Sequence, residues 1–379
     1  MDNVNKKVTN YNDSSANEAT ILNLLMYFDL SAFNNTNGDY HTIDDAFTKI
    51  RANFDSYITK QNDKALPEYF TTIEAYIKYH PELLDYTISN VSTNDLRYSG
   101  VRGLNAAAFS KTKMDRSRTI TVVFRGTASG EWYDNGQELG GIDVGDNKES
   151  LQQKEALRYF EDTYKELRIK KKDTLILTGH SKGGTKIQYI MMMSLYADDI
   201  HMVYSSDGQG FSPEAMKHFK NKLGNKFYKR SNNIVNVSAD NDYVNVLGYS
   251  LIPKENNYYF KASCKWLYKN HYPHVIFQKD GSFKQLKENP HEPGLWGRIV
   301  HNASNKVMGL PAKERNEITI GMMTIAQRVL GRGAPINKEK MNNLLMFTSA
   351  IKSMGYLTCA TFETLTQQFF VAAHFIWFI

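Results

Sequence analysis

Hydrophobic positions near the start of the chain recur at helical spacing. From Glu18 onward, Ile21, Leu24, Leu25 and Phe28 fall on one face of a 3.6-residue repeat. The pattern resumes from about Asp44 to Ile58, after an Asn/Gly-rich turn at Asn34–Gly38, and again over residues 68–80. Residues 1–17 are rich in Asn, Asp and Ser and predict a flexible leader. After Asp85 the period changes. Short runs of strand-formers at Tyr86–Val91, Ala106–Phe109, Ile120–Phe124, Thr174–Thr178, Met202–Ser206 and Ile234–Val237 alternate with amphipathic stretches at about Glu149–Leu167 and Gly183–Tyr196. That alternation predicts an α/β fold with a largely parallel sheet and helices on both faces.

Beyond about Pro293 the strand signals stop. Trp296–Met308, Arg315–Leu330, Asn337–Met354 and a last stretch to Ile379 read as helices, and Gly331–Pro335 breaks the second from the third. The expected organisation is a leader over 1–17, an α/β body over 18–295 and a helical appendage over 296–379.

Composition narrows the class. The chain has 379 residues, of which 41% are hydrophobic and 23% charged, which excludes a disordered or collagen-like protein. A core of that size needs no disulfide or metal staple. The balance of 46 basic against 40 acidic residues leaves +6, too mild a charge to suggest a nucleic-acid partner. Cys264 and Cys359 form no CxxC pair and are expected to be buried thiols. Neither HExxH nor a Cys/His cluster at ligand spacing occurs, so no metal or cofactor is expected. The polar N-terminus lacks the apolar stretch of a signal peptide, and no run reaches the ~20 apolar residues of a spanning helix. The expectation is a cytoplasmic protein, or one exported without a cleavable signal.

One motif carries chemistry. Gly179-His180-Ser181-Lys182-Gly183 matches G-x-S-x-G, with a predicted strand before it and a helix directly after. Such a strand–turn–helix lifts a serine hydroxyl above a sheet, and small neighbours give the tight turn room. A serine needs a base and an orienting acid, which in this arrangement follow it in the order acid, then histidine. Asp240 and Asp242 lie at the end of a predicted strand. Asp242, followed by apolar residues, reads as the better-anchored acid. His271 and His274 lie downstream, and from the residues alone either could be the base. His180 is expected to pack or hydrogen-bond within the turn. An acyl-transfer site also needs donors for the developing oxyanion. The backbone N–H of Lys182 is one candidate, and Thr127, after the strand Ile120–Phe124, is the other.

The motifs VVFRGT, LTGHSKGG, SSDGQGFSPE, DNDYVNVLG and HYPHVIFQKDGSF, in this order, resemble the class 3 lipase-like α/β hydrolases. DGQGF narrows the resemblance to a bacterial branch found in low-GC Gram-positive bacteria. The resemblance covers roughly Glu18 to Glu288. It implies Ser181 as nucleophile, Asp242 as acid, and Thr127 with Lys182 at the oxyanion hole. The family pattern of histidine, any residue, proline fits His271-Tyr272-Pro273 and favours His271 over His274. Asp207 of the DGQGF turn reads as a structural residue or one that supports the site from behind, and Trp132, Asp134 and Asn135 of EWYDN match a segment that the family places near the site. Two departures stand out. Lys182 occupies a position that is apolar in many class 3 lipases, which would set a charge beside the site. Gly136–Lys148 is Gly/Asp-rich and offers no long apolar lid.

The expected function is therefore a serine carboxylic-ester hydrolase acting on a lipid or other acyl ester through an acyl-enzyme. Two alternatives are a thioesterase or amidase with the same triad, and a non-catalytic binding or delivery protein on a hydrolase scaffold that works through its C-terminal helices. Lys217, Lys220, Lys222, Lys226, Lys229 and Arg230 form a basic stretch, to be read as a solvated helix face or as a patch for anionic phospholipid. Tyr258, Tyr259, Phe260, Trp266 and Tyr268 would fill core or line an acyl groove. Phe375–Ile379, apolar on every side, would need cover from the body, a partner protein or a membrane surface.

Overall fold

The computed structural model describes residues 14–33, 41–56, 65–93, 104–127, 132–141, 150–262 and 267–330. Seven strands form one sheet whose spatial order follows the chain: β1 (Thr87–Thr93), β2 (Asn105–Thr112), β3 (Arg118–Phe124), β4 (Thr174–His180), β5 (Ile200–Ser206), β6 (Ile234–Ala239) and β7 (Asn257–Phe260). β1, β2 and β3 make an antiparallel meander, and β3 to β7 run parallel. The predicted α/β class with a mostly parallel sheet is correct. β7 was not predicted. Its four residues Asn-Tyr-Tyr-Phe lack an alternating signal, and they become a strand by pairing with β6. Tyr258, Tyr259 and Phe260 are accordingly buried within the sheet layers.

Both faces of the sheet are covered, for different reasons. Crossovers between neighbouring parallel strands are right-handed, so a sheet whose order never reverses places every crossover helix on one side. That side holds α5 (Leu151–Glu166), α6 (Lys182–Met193) and α7 (Pro213–Leu223). Tyr159, Phe160, Ile187, Ile190 and Phe219 pack there on Ala106, Ile120, Val122, Leu175, Leu177 and Val203. The alternate strand residues Ala107, Phe109, Val123, Ile176, Tyr204 and Val235 face the other way and would be bare. The N-terminal helices α1 (Ser14–Leu25), α2 (Ile43–Ala52) and α3 (Leu66–Tyr79) close that side.

α1 begins within the expected leader and is buried on more than one face: Ala16, Ala19, Ile21, Leu22, Leu24 and Leu25 are all sealed. α2 starts at a Thr42/Asp45 capping box and ends at Ala52; after a turn at Asn53 residues 54–56 are helical again, and the end of the predicted stretch at Ile58 lies outside the described residues. α4 (Trp132–Gly140) occupies the first part of the Gly/Asp-rich segment that carried no helical expectation.

Among the described residues two further helices follow the sheet: α9 (Leu295–Met308) and α10 (Ala312–Leu330). α10 lies against α4, close to the body. A Cβ at Gly136 would stand 2.9 Å from Ile320 Cα, and one at Gly140 would stand 2.8 Å from Asn316 Cα, so both glycines are places where the two helices meet backbone to backbone. Thr319 Oγ1 donates to the Gly136 carbonyl at 2.8 Å, and Arg315 Nε donates to that of Gly140 at 3.0 Å. Cys264, Cys359, the predicted helix Asn337–Met354 and the apolar end at Phe375–Ile379 lie outside the described residues. Among the described residues no helix is long and apolar enough to cross a membrane.

Candidate active site

β4, central in the sheet, ends at His180, and α6 leaves from Lys182, so Ser181 sits alone on the corner. Its backbone has φ 56° and ψ −123°. A non-glycine residue in such a region carries strain on the order of 1–3 kcal/mol, which the surrounding structure must hold. The corner is tight enough that a Cβ at Gly183 would fall 1.9 Å from the Phe124 carbonyl oxygen, so α6 approaches β3 only because glycine stands there.

Three predicted residues come together. Ser181 Oγ lies 2.8 Å from His271 Nε2, and His271 Nδ1 lies 2.8 Å from Asp242 Oδ1. Because a carboxylate only accepts, Nδ1 carries the ring hydrogen and Nε2 is left bare toward the serine. Asp242 is fully buried, and its second oxygen accepts the N–H groups of Val244 at 3.1 Å and Asn245 at 2.8 Å. His271 reaches the site from a 3-10 turn at Leu267–His271.

The alternatives lie elsewhere. Asp240 Oδ1 accepts the Ala262 N–H at 3.2 Å, and burial raises its carboxyl above the usual range. His274 packs against the rings of Tyr69 and Tyr272, and burial, helped by Lys284 and Lys269, depresses it to about 4. Neither is bonded to Ser181 or His271.

His180 is buried and bonds to the backbone of His271. Its Nε2 donates to the carbonyl of His271 at 2.9 Å, which leaves Nδ1 to accept the Tyr27 hydroxyl at 2.6 Å. Burial, then the neighbouring His271, holds its pKa well below that of free imidazole, so it stays neutral. Tyr27 comes from just beyond α1 and was not foreseen; no local pattern marks it, since its partner lies 153 residues away. Asp207 is fully buried at φ 52°, with Oδ2 3.8 Å from His180 Nε2. Burial, then the Asp242 charge, pushes its carboxyl well above the usual carboxylate range.

Lys182 corrects an expectation. Its side chain is fully buried rather than set beside the reacting centre, with Nζ 2.5 Å from Asp134 Oδ2 and 2.5 Å from Glu138 Oε1. Burial alone would lower the ammonium, but the two carboxylates overcome it and leave its pKa raised. Glu138 also accepts from Ser150 Oγ at 2.6 Å and Gln209 Nε2 at 3.3 Å. Burial outweighs these partners and shifts its carboxyl upward. Removing one member of such a buried group typically costs about 3–5 kcal/mol, because the others are stranded.

Thr127 lies one residue beyond Gly126, where an added Cβ would stand 3.2 Å from Ser181 Cβ. Its hydroxyl accepts Asn135 Nδ2 at 3.2 Å, which leaves its own hydrogen to donate elsewhere. The Lys182 N–H belongs to the first turn of α6, where helix geometry supplies no acceptor. Trp132 opens α4, and its side chain lies outside the described residues.

His180, Asp207 and His271 present potential ligand atoms within 4.8 Å of one another. A cation fits poorly there. Both ring nitrogens of each histidine are already engaged in hydrogen bonds.

The geometry is that of an α/β protein with a serine at the strained corner after a central parallel strand. The family model for Mbeg1-like proteins, a lipase-like family, matches residues 79–236. The match takes in β1 to most of β6, with Thr127, Asp134, Glu138, Ser181 and Lys182, and ends before Asp242 and His271. No curated protein matches the chain.

Proposed function

We propose that the protein is a serine carboxylic-ester hydrolase. The observation that carries this reading is the unbroken chain Ser181 Oγ–His271 Nε2, His271 Nδ1–Asp242 Oδ1, at 2.8 Å in each link, at the corner between β4 and α6. Ser181 Oγ attacks the ester carbonyl and passes its proton to His271 Nε2. Asp242 holds the imidazole in the tautomer that can accept it and stabilises the imidazolium that forms. The tetrahedral oxyanion is received by the Lys182 N–H and by Thr127, donors in place before charge develops. His271 returns the proton to the departing alkoxide, and the acyl group stays on Ser181. Water, deprotonated by the same nitrogen, then releases the acid and restores the serine.

Purified protein is expected to react with a fluorophosphonate probe and to hydrolyse p-nitrophenyl esters. Ser181→Ala should lose the labelling and at least about 10³-fold in hydrolysis. Equal labelling or equal hydrolysis by the variant would overturn the reading.

A further inference from the structure

Lys182 is the residue after the serine, and its ammonium is spent entirely inside the protein. A buried ion pair is a poor way to stabilise a fold, because taking charges out of water offsets most of their attraction; a Met or Leu of similar volume generally packs as well or better. Here the case is harder still, since one ammonium faces two carboxylates and both are in or beside the interior: Asp134 and Glu138 are 7% and 4% exposed. The group's value therefore lies in what it connects. Asp134 and Glu138 stand one turn apart on α4, and Lys182 is the first residue of α6. The ammonium thus ties the middle of α4 to the corner that carries Ser181.

Asn135 lies between those carboxylates in sequence and points its amide the other way, onto the Thr127 hydroxyl at 3.2 Å. Gln209 holds α4 from a further side, through Glu138 at 3.3 Å and the Asn135 carbonyl at 3.5 Å. A path of direct contacts therefore runs from the Lys182 side chain through α4 to Thr127, while the Lys182 backbone presents an N–H at the same corner.

We propose that Lys182 is a positioning residue. By gripping Asp134 and Glu138 it fixes α4 against the nucleophile corner, so that Asn135 holds the Thr127 hydroxyl where it can donate to the oxyanion. One residue then supplies one oxyanion donor through its backbone and sets the other through its side chain. The inference rests on the ester-hydrolase reading above and extends it. It also separates this lysine from substrate recognition, because an ammonium with no exposed side-chain surface cannot meet a substrate group.

The test uses steady-state hydrolysis of a p-nitrophenyl ester by the full-length protein, with folding followed by circular dichroism. Lys182→Met should lower kcat by roughly 10–100-fold and leave KM within about twofold, as expected for an interaction made only in the transition state. Asn135→Ala, which breaks the last link without disturbing the buried charges, should lower kcat in the same way. Each change combined with Thr127→Ala should lose little more than Thr127→Ala alone, since all act through one hydroxyl. Wild-type kcat in Asn135→Ala, or additive losses with Thr127→Ala, would overturn the proposal. The Asn135 variant decides the matter if Lys182→Met does not fold. Ser181→Ala stands as the separate control: full activity there would remove the hydrolase reading itself, whereas its inactivity beside a fully active Asn135→Ala would remove the positioning role alone.

Discussion

At the scale of single residues, the site is a set of groups whose protonation follows from burial and from the partner each one faces. His180 and His271 are both histidines at one corner, yet one is locked neutral by a carbonyl and a phenol, and the other is turned between a carboxylate and a hydroxyl. Tyr27 is the hinge of this difference. Replacing it by Phe strands the His180 Nδ1 acceptor, which costs about 1–3 kcal/mol. It also loosens the carbonyl on which His271 hangs. Tyr27→Phe should therefore lower both the urea midpoint and kcat, the latter by roughly tenfold for a base displaced by a fraction of an ångström. Unchanged kcat would show that His180 braces the fold and not the base.

At the scale of elements, α4 is the piece on which the site depends most. It is held on one side by Lys182 and on the other by α10, which reaches it over Gly136 and Gly140. Arg315 of α10 reinforces the contact, donating to the carbonyls of Gly140, Met308 and Leu310 and pairing with Glu214 of α7. Gly136→Ala places a methyl against the Ile320 backbone, where neither helix can yield without shifting. Such overpacking should destabilise the protein by about 1–3 kcal/mol, measurable by urea unfolding. A variant as stable as wild type would show that the two helices adjust freely. Among the described residues after Pro293, α10 packs its glycine-facing side against α4.

At the scale of the whole molecule, the distribution of charge separates two regions. The basic stretch lies on α7 and on α8 (Lys226–Ser231), where Arg230 donates to the Met192 carbonyl at the end of α6. Ser181 stands at the opposite end of that helix, about 18 Å away for twelve residues. A surface attracted to those lysines would meet the end of α6 remote from Ser181.

Stability should also depend on pH in a definite direction. His180 and His274 are held neutral by burial, His274 down to about 4, whereas an unfolded histidine titrates near 6.5. Between those values the unfolded chain binds more protons, so their contribution is present above about pH 6.5 and is lost as pH falls toward 4. The raised carboxyls of Asp207 and Glu138 act in the opposite sense, favouring the folded state more at lower pH. His274→Phe keeps a ring in the Tyr69–Tyr272 cluster and removes the proton site. Its loss of stability between about pH 7 and pH 4.5 should be smaller than that of wild type, as read by urea unfolding at each pH. An equal loss would assign the acid slope to other groups.

The alternation of apolar runs by itself determined the α/β class, the central strands within a few residues and the serine corner, because these follow from local periodicity and from glycines that one tight turn requires. The order of residues after that corner confined the candidate acids and bases to two short segments. The sequence preferred His271 to His274 and Asp242 to Asp240, but only the tertiary structure brings His271 within 2.8 Å of both Ser181 and Asp242, since neighbours in sequence can face different sides of a turn. The same holds for β7, which exists through its pairing with β6. Lys182 and Tyr27 show the limit most plainly. Whether a charge faces solvent or two carboxylates, and whether a phenol meets an imidazole 153 positions later, depends on which surfaces the folded chain closes against one another.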